Sequence, residues 1–218
     1  MLAKITSGAV VGLEARSIEV EVDIPNEGFP SFQIVGLPDK AVEESKERVR
    51  SAIKNSGADF PQSRITVNLA PADIPKVGPA YDLPIALGIL IASGQINPDV
   101  TNSIFLGELS LDGSLRHTNG VLPVVNFARE KSIKNIYLPK VNEREASIVP
   151  GVDVYPTSSL LELVRFFAKT KKISKAKRIP LRTLLKTSEA PFDFSEIIGQ
   201  ESAKRAVEIS AAGGHNIF

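Results

Sequence analysis

Ser110, Asp112 and His117 fall within eight residues and supply the side-chain types of a nucleophile, an orienting carboxylate and a base. Such a set would serve acyl transfer. Nearness in sequence is weak support, because triads are defined by geometry in space. A turn at Asp112-Gly113 with polar neighbours explains the stretch more simply. Asp82 follows Tyr81 at the start of an apolar run, where a carboxylate satisfies the free amides and the dipole of a helix start. A catalytic acid is the sharper alternative there. Glu108 lies in an otherwise apolar strand and needs a cationic partner, Lys76 or Arg116. His215 follows Gly213-Gly214 and reads as a loop residue rather than a ligand. Arg165 to Lys186 holds nine cations and no carboxylate. Of these, Lys169, Lys171, Lys172, Lys175, Lys177 and Arg178 are candidate contacts to DNA phosphates, with a steep salt dependence if several engage. No aromatic residue is interleaved after Phe167, which argues against a base-stacking platform. The competing reading is a solvated linker.

The totals narrow the chemistry. The chain has 218 residues, enough for one sizeable core and an appendage. With no cysteine, disulfides, thiol nucleophiles and thiolate metal sites are excluded. Two histidines without histidine or cysteine partners argue against structural zinc, and no metal site is expected. Residues 1–164 carry 15 basic and 20 acidic side chains, so the basic block stands between acidic regions. No apolar leader opens the sequence, and the most apolar run, Leu83 to Ala92, is too short to span a bilayer. A soluble cytoplasmic protein with no membrane partner is expected.

These residues need a frame. Ile18, Val20, Val22 and Ile24 alternate with Glu19, Glu21 and Asp23, the period of a half-buried strand. Ala3 to Gly12 can pair with it as a hairpin. Phe32 to Val35 and Ile65 to Leu69 read as further strands. Between them a helix is predicted from Pro38 to about Asn55, stopped by Gly57. Tyr81 to Ser93 is a helix apolar on nearly every side, hence buried. Ile104 to Leu111 is predicted as one strand, Val121 to Lys131 as a helix, Asn135 to Pro139 and Val152 to Tyr155 as strands, and Ser158 to Ala168 as a helix. The order fits an α+β, or mixed α/β, two-layer sandwich of a mixed sheet and helices. After Ala168 a basic linker is expected. A new element then starts near Pro191, with Phe192-Asp193-Phe194, a helix from Glu201 to Ala212, and a strand beginning at Asn216 to Phe218.

Several blocks resemble a known family. They are Ile34 to Ile53, Val67 to Ala92, Phe105 to Leu115 and Gly120 to Pro123, followed by Phe194 to Phe218. The chain is similar throughout to the magnesium-chelatase-like AAA+ family, whose members include YifB and ComM. That resemblance implies a Lon-protease-like domain over residues 1–168, a basic linker over 169–190, and the start of an AAA+ ATPase module over 191–218. Ile74 to Asp82 and Gly107 to Gly113 resemble the active-site frame of Lon proteases. The position of that family's nucleophilic serine holds Ala80, and that of its lysine base holds Leu122. A methyl and an isobutyl group neither attack a carbonyl nor carry a proton.

The family implies more. Its transformation-related members act as hexameric, ATP- and magnesium-dependent helicases that migrate branches in single-stranded or branched DNA. Ile197, Ile198, Gly199 and Gln200 resemble the segment that packs on the adenine base. In the family a P-loop follows Gly-Gly-His-Asn, and this sequence contains no G-x-x-x-x-G-K-[ST]. The chain is therefore expected to be a fragment that neither hydrolyses ATP nor binds it tightly. Two rival readings are a cryptic Lon-like peptidase and a metal-insertion motor of the magnesium chelatase type.

Overall fold

The computed structural model describes residues 1–25, 28–184 and 193–217. Two compact units are present, Met1–Pro180 and Leu181–Phe218. The first opens with strands β1 (Leu2–Val11), β2 (Glu14–Asp23) and β3 (Ser31–Val35), then helices α1 (Lys40–Glu43) and α2 (Ser45–Asn55) and strand β4 (Arg64–Ala70). Helix α3 (Asp82–Ala92), strands β5 (Ser103–Phe105), β6 (Glu108–Leu109) and β7 (Leu115–Arg116), helix α4 (Val121–Glu130) and strand β8 (Asn135–Pro139) follow. Helix α5 (Glu143–Ala146), strand β9 (Asp153–Thr157) and helix α6 (Leu160–Phe167) complete the regular elements of this unit.

Four strands form a mixed sheet in the order β1-β2-β4-β3, antiparallel except for the β3–β4 pair. Its period is the one the sequence displays. Ile18, Val20 and Val22 face inward, while Lys4 on the outer face bridges Glu19 and Glu21 at 2.8 Å each. Helix α3 packs on β1 and β2 and against α2. Leu83, Ile85, Leu87, Ile89 and Leu90 are all buried, as an all-round apolar helix must be. Gly88 sets that close approach, because a Cβ there would stand 2.5 Å from Val22 Cγ2. A second, parallel sheet runs β5-β8-β9. Phe105, Tyr137 and Tyr155 stack along it, with ring centres 4.7 and 4.8 Å apart. The fold is α+β.

Three expectations are corrected. The helix predicted from Pro38 starts at Lys40 and is broken at Glu44. Asp39 caps it by accepting the Val42 N–H at 2.8 Å, and the Ser45 hydroxyl turns back to the Val42 carbonyl at 2.7 Å. The strand predicted over Ile104 to Leu111 is two, β5 and β6. At the break, the Gly107 N–H donates to the Ala80 carbonyl at 2.9 Å and its carbonyl accepts from the Leu83 N–H at 3.0 Å. Backbone groups spent on the start of α3 are withdrawn from the strand ladder. Third, residues 169–180 do not hang free as a linker. Ile173 is buried, the Ala176 N–H donates to the Val154 carbonyl at 2.8 Å, and the Ile179 N–H donates to the Ser147 carbonyl at 3.1 Å.

In the second unit, α7 (Leu181–Leu184) is a single turn. A 3-10 turn at Phe194–Glu196 carries a reciprocal cap between Asp193 and Glu196, and α8 (Glu201–Gly213) ends at Gly214 with φ +62°. The helix reaches Gly213 rather than Ala212, and Asn216 and Ile217 have no strand pairing among the described residues. Lys186, Pro191, Phe192 and Phe218 lie outside the described residues.

Candidate functional site

The segment before α3 is pinned from both sides. Asp39 accepts the Gly78 N–H at 2.9 Å, and its own N–H donates to the Lys76 carbonyl at 3.0 Å. Lys76 is fully buried, and its ammonium donates to the Pro71 carbonyl. Burial pushes its pKa down, opposed by the charge of Asp73. Behind it, Asp82 is also fully buried. Arg48 grips its carboxylate through Nε at 2.6 Å and Nη2 at 3.0 Å, and the Leu109 N–H donates to it at 3.1 Å. Asp82 stands in the first turn of α3, as the sequence suggested, but its carboxylate is engaged by Arg48 and Leu109 rather than by a cap on its own helix. It joins α2, α3 and β6. Burial pushes its pKa up to about 6, although the Arg48 guanidinium pulls the other way.

A cleft of about 280 Å³ opens beside this node. Gly8, Ala9 and Val10 of β1, Pro75 and Val77, Ala80 and Tyr81, and Gly120 and Val124 wall it. The polar side chains in its lining are Tyr81 and Asn119. Tyr81 is 2% exposed, and burial raises its phenol pKa further from neutrality. Lys76 lies in sequence between two wall residues, yet its nitrogen is spent on Pro71. The lining thus holds no amine to accept a proton and no hydroxyl that ionises readily. Leu122 lines a separate open groove with Leu13, Arg16 and Asn126. The two positions read as the degenerate serine and lysine are not brought to one depression.

The local triad dissolves too. The Ser110 hydroxyl accepts Arg116 Nε at 2.5 Å. Asp112 closes its turn by accepting the Ser114 N–H at 2.9 Å and hydroxyl at 2.7 Å. His117 is exposed. Glu108 pairs with Arg116 at 3.6 Å, not with Lys76. In the basic block, Lys169, Lys171, Lys172, Lys175, Lys177 and Arg178 are all exposed. Lys171 pairs with Glu162 at 2.9 Å, and Lys175 pairs with Asp153 and lies over the Tyr155 ring.

Ile197 is 45% and Ile198 96% exposed, and Gly199 and Gln200 turn the chain into α8 with φ of +69° and +59°. For ATP and magnesium this chain offers one bare apolar wall. It has no P-loop lysine, and the described residues hold no group of three metal-ligating side chains. Beside this wall the triphosphate finds no cradle among the described residues, and no chemistry is assigned to it there.

Comparison with known proteins decides the lineage. The family described as subunit ChlI of Mg-chelatase matches residues 20–142, and the magnesium chelatase subunit ChlI family matches residues 193–218. Competence protein ComM of Haemophilus influenzae is 43% identical over the whole chain, which covers 43% of that relative. This chain belongs to the magnesium-chelatase-like ComM/YifB family. YifB of Escherichia coli is 40% identical, again over the whole chain and 42% of the relative. Lon protease of Mycoplasmopsis agalactiae is 24% identical over 76% of the chain and 18% of that protease. The chain therefore spans about two-fifths of the length of its ComM and YifB relatives. Arg48 as the partner of Asp82, and Asp39 as the clamp on Gly78, were not found in the sequence. A carboxylate opening an entirely apolar helix was the available signal, since its burial demands a cation.

Proposed function

We propose that this chain is the non-proteolytic N-terminal part of a cytoplasmic, hexameric AAA+ ATPase that drives branch migration of DNA during recombination. Its Lon-like unit serves assembly and DNA guidance, while ATP and magnesium are bound by the full-length protein. One observation carries the non-proteolytic half: the cleft at Ala80 has neither a reactive hydroxyl nor a free amine in its lining. The DNA half is supported by identity to a competence protein and by the exposed cations from Lys169 to Arg178. Exposed Ile197 and Ile198, with Gly199 and Gln200, fit an adenine wall that the rest of the motor would complete.

The test uses the full-length protein and the 218-residue chain side by side. The full-length protein is expected to hydrolyse ATP with magnesium and to move a synthetic four-way junction, and neither protein should cleave fluorogenic peptides. Peptide cleavage that survives protease inhibitors directed at contaminants would overturn the first half. An ATPase indifferent to DNA, and unable to move the junction, would overturn the second. The matching of Mg-chelatase families favours metal insertion as the second reading. Loss of tetrapyrrole synthesis, rather than of transformation, on gene deletion would favour it.

A further inference from the structure

Away from the cleft residues, a third depression of about 330 Å³ lies among α2, the start of β3 and the turn into β4. Arg50 and Lys54 of α2 form one wall, and Ser31, Phe60, Gln62 and Ser63 contribute to the others. We infer that this depression binds a phosphate group. Nothing in the proposed function uses it, and an isolated phosphate suffices to test it.

Arg50 and Lys54 are one helical turn apart, so their side chains share a face of α2. Both are exposed, and among the described residues neither has a carboxylate within 4.0 Å. Among the described residues, no carboxylate lines the depression. The Arg50 guanidinium stands 5.1 Å from the centre of the Phe60 ring. That ring is itself buried and packed against Phe32, so it gives the guanidinium a fixed seat. A guanidinium held over a ring keeps N–H donors that can grip oxyanions.

Ser31 and Ser63 add hydroxyl donors, and among the described residues neither hydroxyl is bonded to another protein group. Gln62 spends one amide hydrogen on the Phe60 carbonyl at 3.4 Å and keeps the other. Two cations and several uncommitted donors exceed what one carboxylate needs and match a tetrahedral oxyanion carrying up to two charges. The end of α2 opposes this with about half a negative charge, which two full positive charges outweigh. The volume lies at the small end for ligand sites, room for a phosphate with a modest substituent. Free phosphate, a nucleotide and a nucleic-acid backbone all present this group.

The test titrates the 218-residue chain with sodium phosphate, and with sodium chloride at equal ionic strength, while amide resonances are followed by NMR. Saturable shifts at Ser31, Gln62 and Ser63 with phosphate alone are expected. Arg50→Gln and Lys54→Gln should each weaken binding several-fold, and together at least tenfold, with unchanged thermal melting. If the Arg50 variant unfolds, the exposed Lys54→Gln variant carries the test. Shifts that follow chloride equally, do not saturate, or persist unchanged in the variants overturn the inference. Competition then identifies the source. A labelled single strand displaced by phosphate points to a nucleic-acid backbone, and a mononucleotide bound more tightly than the strand points to a soluble ligand. An Arg50/Lys54 variant that keeps junction movement leaves the proposed function standing on its own.

Discussion

Two kinds of ion pair sit in the same unit and do different work. Arg48 and Asp82 meet with the carboxylate fully buried and the arginine side chain 20% exposed. Lys171–Glu162 and Lys175–Asp153 join lysines that are 48% and 52% exposed. The charges and distances are alike, and the dielectric surroundings are not. A buried pair is hard to form and harder to break singly, since removing one partner strands the other away from water. An exposed pair exchanges one solvated arrangement for another at little gain. The first fixes the geometry beside the cleft, whereas the second holds a basic strap that other anions can contest.

The largest expected effect comes from breaking the buried pair on one side. Arg48→Ala should cost about 3–5 kcal/mol at neutral pH, read by urea denaturation. Arg48→Met with Asp82→Leu should cost distinctly less than Arg48→Ala. An equal loss would mean that the stranded charge is not the cause.

The next largest effect is pH dependence. Folded Asp82 holds its proton up to about pH 6, whereas its ordinary value is 3.8. Between those values the folded state binds the extra proton, so stability is greatest below the window and falls as pH rises through it. The loss is on the order of 3 kcal/mol. The Asp82→Asn variant should lack this slope, and a slope that persists in the variant's own profile assigns it to other carboxylates.

Smaller again is the anchor of the strap. Ile173→Ala should cost about 2 kcal/mol, because the side chain is buried at the edge of the core rather than at its centre. Faster proteolysis between Lys169 and Pro180 would accompany it. Smallest is the pair of exposed bridges. Lys171→Ala with Lys175→Ala should shift stability by less than about 1 kcal/mol per pair. The same variant should lower affinity for forked DNA and flatten its salt dependence. Undiminished DNA binding would remove the strap from the proposed interface.

Much of the frame was legible because it follows local periodicity. The alternation in β2 and the unbroken apolar run of α3 each have one stable solution, a half-buried strand and a core helix. What escaped depends on distant partners. The break at Gly107 exists because its backbone pairs with Ala80 and Leu83, about 25 residues away in sequence. The strap reads as a solvated linker because its anchoring ions, Asp153 and Glu162, belong to other elements. At the cleft, Ala80 stands on the wall, and nothing in the residue order placed Leu122 in a different groove. Register along an element is local information, and which way α4 presents its first turn is not.

The stacked rings of the parallel sheet give this protein a built-in reporter. The chain has no tryptophan, and its three tyrosines, Tyr81, Tyr137 and Tyr155, all fall in Met1–Pro180. Intrinsic emission excited through tyrosine therefore originates in the first unit. Because Lys175 rests over Tyr155, that light should also change when the strap lifts, so anion capture by these lysines can be watched without any label.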